Sequence, residues 1–170
     1  MKPLWTKKDL ISATNALDPS SYFLENFDGV WGVSIDDRTI QQGDLFIALI
    51  GDKFDGHDFI ENAIRKGAYG ILVSDKKLAY KYKGLLVEDT NNALRQIAKF
   101  SRHRFKGITI ALTGSSGKTS TKHLLSSTLK KFGKTHNTYK NNNNLIGLSL
   151  TLSRLRDNYN YCVLELGMNN

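Results

Sequence analysis

Short apolar runs alternate along this chain with stretches of helical periodicity, and that alternation predicts an α/β fold. Val30–Ser34, the continuous run Leu45–Ile50 behind the turn signal Gln42-Gly43-Asp44, Ile71–Val73 and Leu85–Val87 all read as strands. Thr6 with Asp9 three residues later is a capping-box signature for a first short helix containing Leu10, Ile11 and Ala13. Asp58, with Glu61 behind it, predicts the cap of a helix through Lys66 that Gly67 ends. Thr90 predicts the cap of a further helix whose Ala93, Leu94, Ile97, Ala98 and Ser101 share one face. Ser101 to Gly107 is polar enough to link this unit to a second, so the expected division is residues 1–105 and 106–170.

In the second unit Ile108, Ile110 and Leu112 form a β-branched run that reads as a buried strand. Beyond Thr119, the positions Leu124, Leu125, Thr128, Leu129 and Phe132 recur at helical spacing and predict a helix that Gly133 stops. Leu145–Leu155 reads as another helix. Tyr161–Gly167 reads as a buried strand carrying Glu165 near its C-terminal end. Only three strands and two helices fit here, whereas a nucleotide-binding parallel sheet usually has about five strands or more. The expectation is a truncated central domain.

The stretch between the first strand and helix of this unit carries chemistry. Thr113, Gly114, Ser115, Ser116, Gly117, Lys118, Thr119 and Ser120 form a glycine turn that feeds a helix N-terminus, where backbone N–H groups converge and favour an anion. Lys118 supplies a mobile positive charge for terminal phosphates, and the Thr119 hydroxyl is placed to hold magnesium. Leu112 stands where the full phosphate-loop pattern has its first glycine, leaving the shorter T-G-x-x-G-K-T.

Composition narrows the setting. A chain with 40% hydrophobic residues can bury a core. Its apolar runs fall far below the ~18 residues that a membrane helix needs, and the N-terminus lacks a signal-peptide hydrophobic stretch. The single cysteine, Cys162, lies inside an apolar run and reads as a buried strand thiol. These features fit a cytoplasmic protein with no membrane span. Residues 1–105 carry 15 Lys and Arg against 14 Asp and Glu, but residues 106–170 carry 9 against 2. The second half is therefore suited to anions. Its basic residues are not interleaved with aromatics as a nucleic-acid stacking platform, so a polyanionic small molecule is the expected partner. His57, His103, His123 and His136 have no ligand spacing and are assigned structural or surface roles.

Three segments in register resemble the Mur ligases of peptidoglycan synthesis, especially the members that add D-alanyl-D-alanine. The first is Ser34-Ile35-Asp36-Asp37-Arg38, Gly43–Leu49 and Phe54-Asp55-Gly56-His57-Asp58-Phe59. The second is Thr113–Thr119, and the third is Asn141–Asn144 with Ile146-Gly147, followed by Glu165-Leu166-Gly167-Met168-Asn169. The resemblance implies an ATP-dependent amide ligase that joins D-alanyl-D-alanine to a UDP-N-acetylmuramoyl-tripeptide through an acyl phosphate. It implies ATP and Mg²⁺ as cofactors, with Lys118 on the β- and γ-phosphates and Thr119 and Glu165 serving the metal. Asn143 and Asn144 would lie beside the phosphates and the acyl-phosphate centre. Asp37, Arg38, Lys53 and Phe54 match the region that meets uridine diphosphate, although Asp37 stands where relatives often carry a small hydroxyl residue. The chain as given would then be the N-terminal portion of the enzyme and inactive by itself. A standalone UDP-sugar or nucleotide-binding module is the alternative. A phosphate-loop phosphotransferase or nucleic-acid NTPase fits the segments at residues 34–59 less well.

Overall fold

A computed structural model describes residues 2–17, 27–139 and 143–167. The chain divides into two compact units, Met1–Ile97 and Ala98–Asn170. The first holds helix α1 (Lys7–Thr14) and strands β1 (Gly32–Ser34) and β2 (Asp44–Ile47), followed by helix α2 (Ile60–Arg65) and strand β3 (Gly70–Val73). Helix α3 (Lys76–Tyr82), strand β4 (Leu85–Leu86) and the start of helix α4 (Thr90–Arg104) complete it. The four strands are parallel, in the order β1-β2-β3-β4.

Successive side chains of a strand point to opposite faces, and a parallel sheet is covered on both. Phe46, Ala48, Ile71 and Val73 accordingly pack with Ile60 and Ala63 of α2 and Ala79 of α3. Leu45, Ile47 and Leu72, of the opposite parity, are equally buried. The capping box that opens α1 is present, with Thr6 Oγ1 accepting from Asp9 N at 3.1 Å and Asp9 Oδ2 accepting from Thr6 N at 3.3 Å.

Several local expectations are corrected. Asp58 does not cap α2. Asp55 instead accepts from His57 N at 2.9 Å and opens a 3₁₀ turn, Gly56–Phe59, that runs into the helix. Thr90 is inside α4, and Asp89 Oδ1 takes the capping role by accepting from Asn91 N at 2.8 Å and Asn92 N at 3.2 Å. In both places an Asp nearer the turn reaches the first free N–H groups and wins. Residues 101–104, read as a polar link, are helical, because the buried Ser101 hydroxyl donates to Leu155 O at 3.0 Å. Helix α3, whose Lys76, Lys77 and Lys81 hide its short apolar face, was not foreseen.

The second unit contains the end of α4, strand β5 (Ile108–Leu112), helix α5 (Lys118–Leu129), strand β6 (Thr135–Asn137), helix α6 (Leu145–Ser153) and strand β7 (Tyr161–Glu165). Its sheet is parallel in the order β5-β7-β6, so β7, the last of the described strands, lies in the middle. Phe105, Leu155, Cys162 and Leu164 form its core. Strand β5 is not buried as expected, since Ile108 is 60% exposed and among the described residues the strand pairs on one side only, with β7. The apolar positions of α5 are not its buried face, and Leu125 and Leu129 are only half-buried. Leu124 is 73% exposed, while Lys122 and Ser126 are buried.

Candidate functional site

The turn that joins β5 to α5 needs glycine twice. Gly114 has φ +152° and Gly117 has φ +75°, a region L side chains rarely enter. At Gly117 an added Cβ would meet nothing within 4 Å, so the requirement there is backbone conformation and not space. The N-cap of α5 is Gly117, which makes no side-chain cap hydrogen bond. The helix's first-turn N–H groups, from Lys118, Thr119 and Ser120, have no acceptors within the helix and carry the positive end of its dipole. Thr113, Ser115 and Ser116 complete the loop around them, and Lys118 Nζ donates to Gly114 O.

Parallel pairing aligns Leu112 of β5 with Glu165 of β7, which brings Glu165 to the mouth of this loop. Thr119 Oγ1 donates to Glu165 Oε1 at 3.0 Å, and Asn143 Nδ2 donates to the same oxygen at 3.3 Å. Lys122 Nζ lies 2.8 Å from Glu165 Oε2, with the two side chains only 0% and 2% exposed. Glu165 N donates to Thr138 Oγ1 at 3.0 Å, which fixes the strand end. Burial by itself would raise the pKa of Glu165. The hydrogen bonds from Lys122, Thr119 and Asn143, with the Lys122 charge, outweigh that and hold the carboxyl below its ordinary value.

The structure thus brings Lys118, Thr119, Asn143 and Glu165 to one place. Asn144 stands beside them as the N-cap of α6, its Oδ1 accepting from Gly147 N at 2.8 Å. Asn141, Asn142, Met168 and Asn169 lie outside the described residues. Lys122 and Thr138 were missed. Lys122 sits three residues after Thr119 on the same helix face, a spacing that could have flagged it. Among the described residues no group of three His, Cys, Asp or Glu side chains could hold a metal alone. A hydroxyl and one carboxylate are nevertheless hard oxygen donors of the kind Mg²⁺ takes when phosphates and water complete its shell.

In the first unit a cleft of about 480 Å³ is lined by Ile35, Asp36, Asp37, Arg38, Phe46, Leu49, Phe54, Gly56 and Phe59. Phe54 is 72% exposed at its edge. Arg38 forks onto Asp36 through Nε at 2.9 Å and Nη2 at 2.8 Å, and these contacts hold the Asp36 carboxyl below its usual range. Asp37, one of the lining residues, also has partners on and just after α2. It accepts from Asn62 Nδ2 and pairs with Lys66 Nζ at 3.4 Å, so its charge is met inside the fold. Lys53 is exposed and is not among the residues lining the cleft. The loop carrying Phe54 is latched by His57, whose Nδ1 lies 2.6 Å from Asp55 Oδ1 and whose Nε2 accepts from Ser74 N at 3.1 Å.

Two family descriptions match the chain. The "Mur ligase family, catalytic domain" covers residues 30–102, and the "Mur ligase middle domain" covers residues 112–170. The UDP-N-acetylmuramoyl-tripeptide–D-alanyl-D-alanine ligase of Buchnera aphidicola subsp. Baizongia pistaciae is 42% identical over 164 residues, which is 94% of this chain and 35% of that protein. A crystal structure of MurF from Acinetobacter baumannii matches with a TM-score of 0.79 and 34% identity, over 98% of this chain and 36% of that one. MurF ligase from Thermotoga maritima in complex with ADP matches with a TM-score of 0.62 and 36% identity, over 79% of this chain and 31% of that one. The chain spans about a third of the length of the curated relatives it matches.

Proposed function

The chain belongs to the Mur ligase family, and we propose that it supplies the UDP-substrate region and the phosphate loop of an ATP-dependent amide ligase. The ligase would add D-alanyl-D-alanine to a UDP-N-acetylmuramoyl-tripeptide in the cytoplasm, through an acyl phosphate. Residues up to about 105 would grip the UDP end, and those from about 106 the nucleotide. One observation carries the reading: a helix N-terminus with Gly117 as its N-cap and Lys118 beside it opens where Thr119 Oγ1 meets Glu165 Oε1 at 3.0 Å.

Joining a carboxylate to an amine requires activation, and phosphoryl transfer from ATP provides it. That transfer depends on positioning and on charge stabilisation. In this chain the α5 N–H groups orient the phosphate oxygens, and Lys118 exchanges its Gly114 carbonyl for them. Thr119 and Glu165 are the residues that would hold Mg²⁺, with Asn143 steadying the carboxylate oxygen they share. When bound, Mg²⁺ neutralises charge developing on the transferred group. In the other unit Phe54 offers a face on which a uracil can stack, and Arg38 offers the diphosphate its guanidinium. Asp37 is compatible with such a ligand because Lys66 already balances it. The Thermotoga maritima relative, solved with ADP, supports the nucleotide half of this reading.

Titration of the 170-residue chain with MgATP, followed by amide NMR, tests it. Shifts are expected across residues 113–120, and Lys118→Ala should weaken binding about 10- to 100-fold by removing a charge-assisted hydrogen bond. No shifts in that loop at saturating nucleotide would overturn the ATP assignment. A parallel titration with UDP-N-acetylmuramoyl-tripeptide should move Arg38 and Phe54, and silence there would overturn the substrate assignment.

A further inference from the structure

Lys122 belongs to no recognised part of the phosphate loop, yet it is completely buried and faces the carboxylate that the loop uses. A lysine is almost never fully buried unless paired, and here the pair is electrically neutral. Its geometry is asymmetric. Lys122 occupies Glu165 Oε2, while Oε1 faces Thr119 and Asn143. A cation held at Oε1 would therefore sit on a carboxylate whose charge is already balanced, with an ammonium on its far side. Among the described residues no cluster of three acid, histidine or cysteine side chains adds charge there.

We propose that Lys122 is a positioning residue that fixes Glu165 to present one oxygen and suppresses divalent-cation binding until nucleotide phosphates bring the missing negative charge. The cation enters with the nucleotide, not before it. This inference rests on residues 113–119 being the nucleotide site.

Electron paramagnetic resonance with Mn²⁺ alone as the probe tests the proposal on the whole chain. Without nucleotide, the unmodified protein should leave Mn²⁺ free at concentrations where Lys122→Met binds it at least about tenfold more tightly, since the opposing charge is gone. Lys122→Arg, which keeps the charge, should behave as the unmodified protein. The double variant Lys122→Met/Glu165→Gln should lose the gain. Mn²⁺ should also raise the melting temperature of Lys122→Met and not of the unmodified chain. A purely structural lysine would leave Mn²⁺ affinity unchanged in a folded Lys122→Met, and that result overturns the proposal. Micromolar Mn²⁺ binding by the unmodified chain without nucleotide overturns it too, whether or not the variant folds. If MgATP produces no shift at residues 113–120, the nucleotide reading fails and takes the proposal with it. MgATP binding alongside tight nucleotide-free Mn²⁺ binding would sink the proposal alone.

Discussion

Replacing Glu165 by Gln should destabilise the second unit far more than an isosteric change normally does. The amide keeps one oxygen for Thr119 and Asn143 but turns an N–H₂ toward the Lys122 ammonium, 2.8 Å from the oxygen it replaces. The lysine side chain is 0% exposed, so water cannot take over. Breaking a buried pair by removing one partner costs about 3–5 kcal/mol. That is a large share of the ~5–15 kcal/mol that holds a whole domain folded. Cys162 is a built-in reporter because it is the single cysteine, lies on β7 three residues before Glu165 and is 0% exposed. Burial pushes its thiol up to about 12, so alkylation at neutral pH requires the unit to open. Labelling limited by the open population should then run about two to three and a half orders of magnitude faster in Glu165→Gln. Adding Lys122→Met removes the stranded charge and should recover much of the protection, since contacting residues couple by ~0.5–3 kcal/mol. A change below threefold in the single variant, or a double variant that labels as fast as the single one, would refute the argument.

Other positions give independent checks. His136 is buried with Nε2 donating to Thr151 O at 2.8 Å, and burial holds its pKa below the ordinary 6.5. The unfolded chain therefore takes up the proton first. Stability is full above about pH 6.5 and falls below it until the depressed folded value is passed, so the urea midpoint should drop on acidification and His136→Gln should flatten that slope. Asp55→Ala should cost ~0.5–2 kcal/mol through the lost cap and His57 contact, whereas Asp58→Ala should stay within ~0.5 kcal/mol, both read from Trp5 and Trp31 fluorescence during urea unfolding. Gly117→Ala should cost about 1–2 kcal/mol from its left-handed backbone alone, because the methyl has open space. Calorimetry of that variant should also show weaker MgATP binding.

Strands β2, β3 and β7 were legible because each is a continuous apolar run in the interior of a parallel sheet, where both faces demand the same chemistry. The caps at Asp55 and Asp89 were not, because two candidate residues stood within three positions and only backbone geometry selects between them. Helix α3 was hidden for a different reason. Its exposed face carries Lys76, Lys77 and Lys81, and just Ala79 of its seven residues is buried, too little for a periodic signal. The Asp37–Lys66 pair was not legible in the sequence, since Lys66 lies 29 positions away in the chain.

Helix α5 shows why a site and a buried stripe must be read together. Successive residues turn by about 100°, so Ser126 lies about 20° from Thr119 around the axis and Lys122 about 60°, while Leu124 lies about 140° away. A helix that aims Thr119 at Glu165 therefore buries Lys122 and Ser126 and turns Leu124 outward, as found. A Thr119 directed at β7 and a buried face centred on Leu124 and Thr128 are mutually exclusive on one rigid element. Exposing Leu124 forgoes about 1.5–3 kcal/mol of burial. The Glu165 contacts fix the rotation despite that loss, and the same rotation turns Lys122 toward the carboxylate.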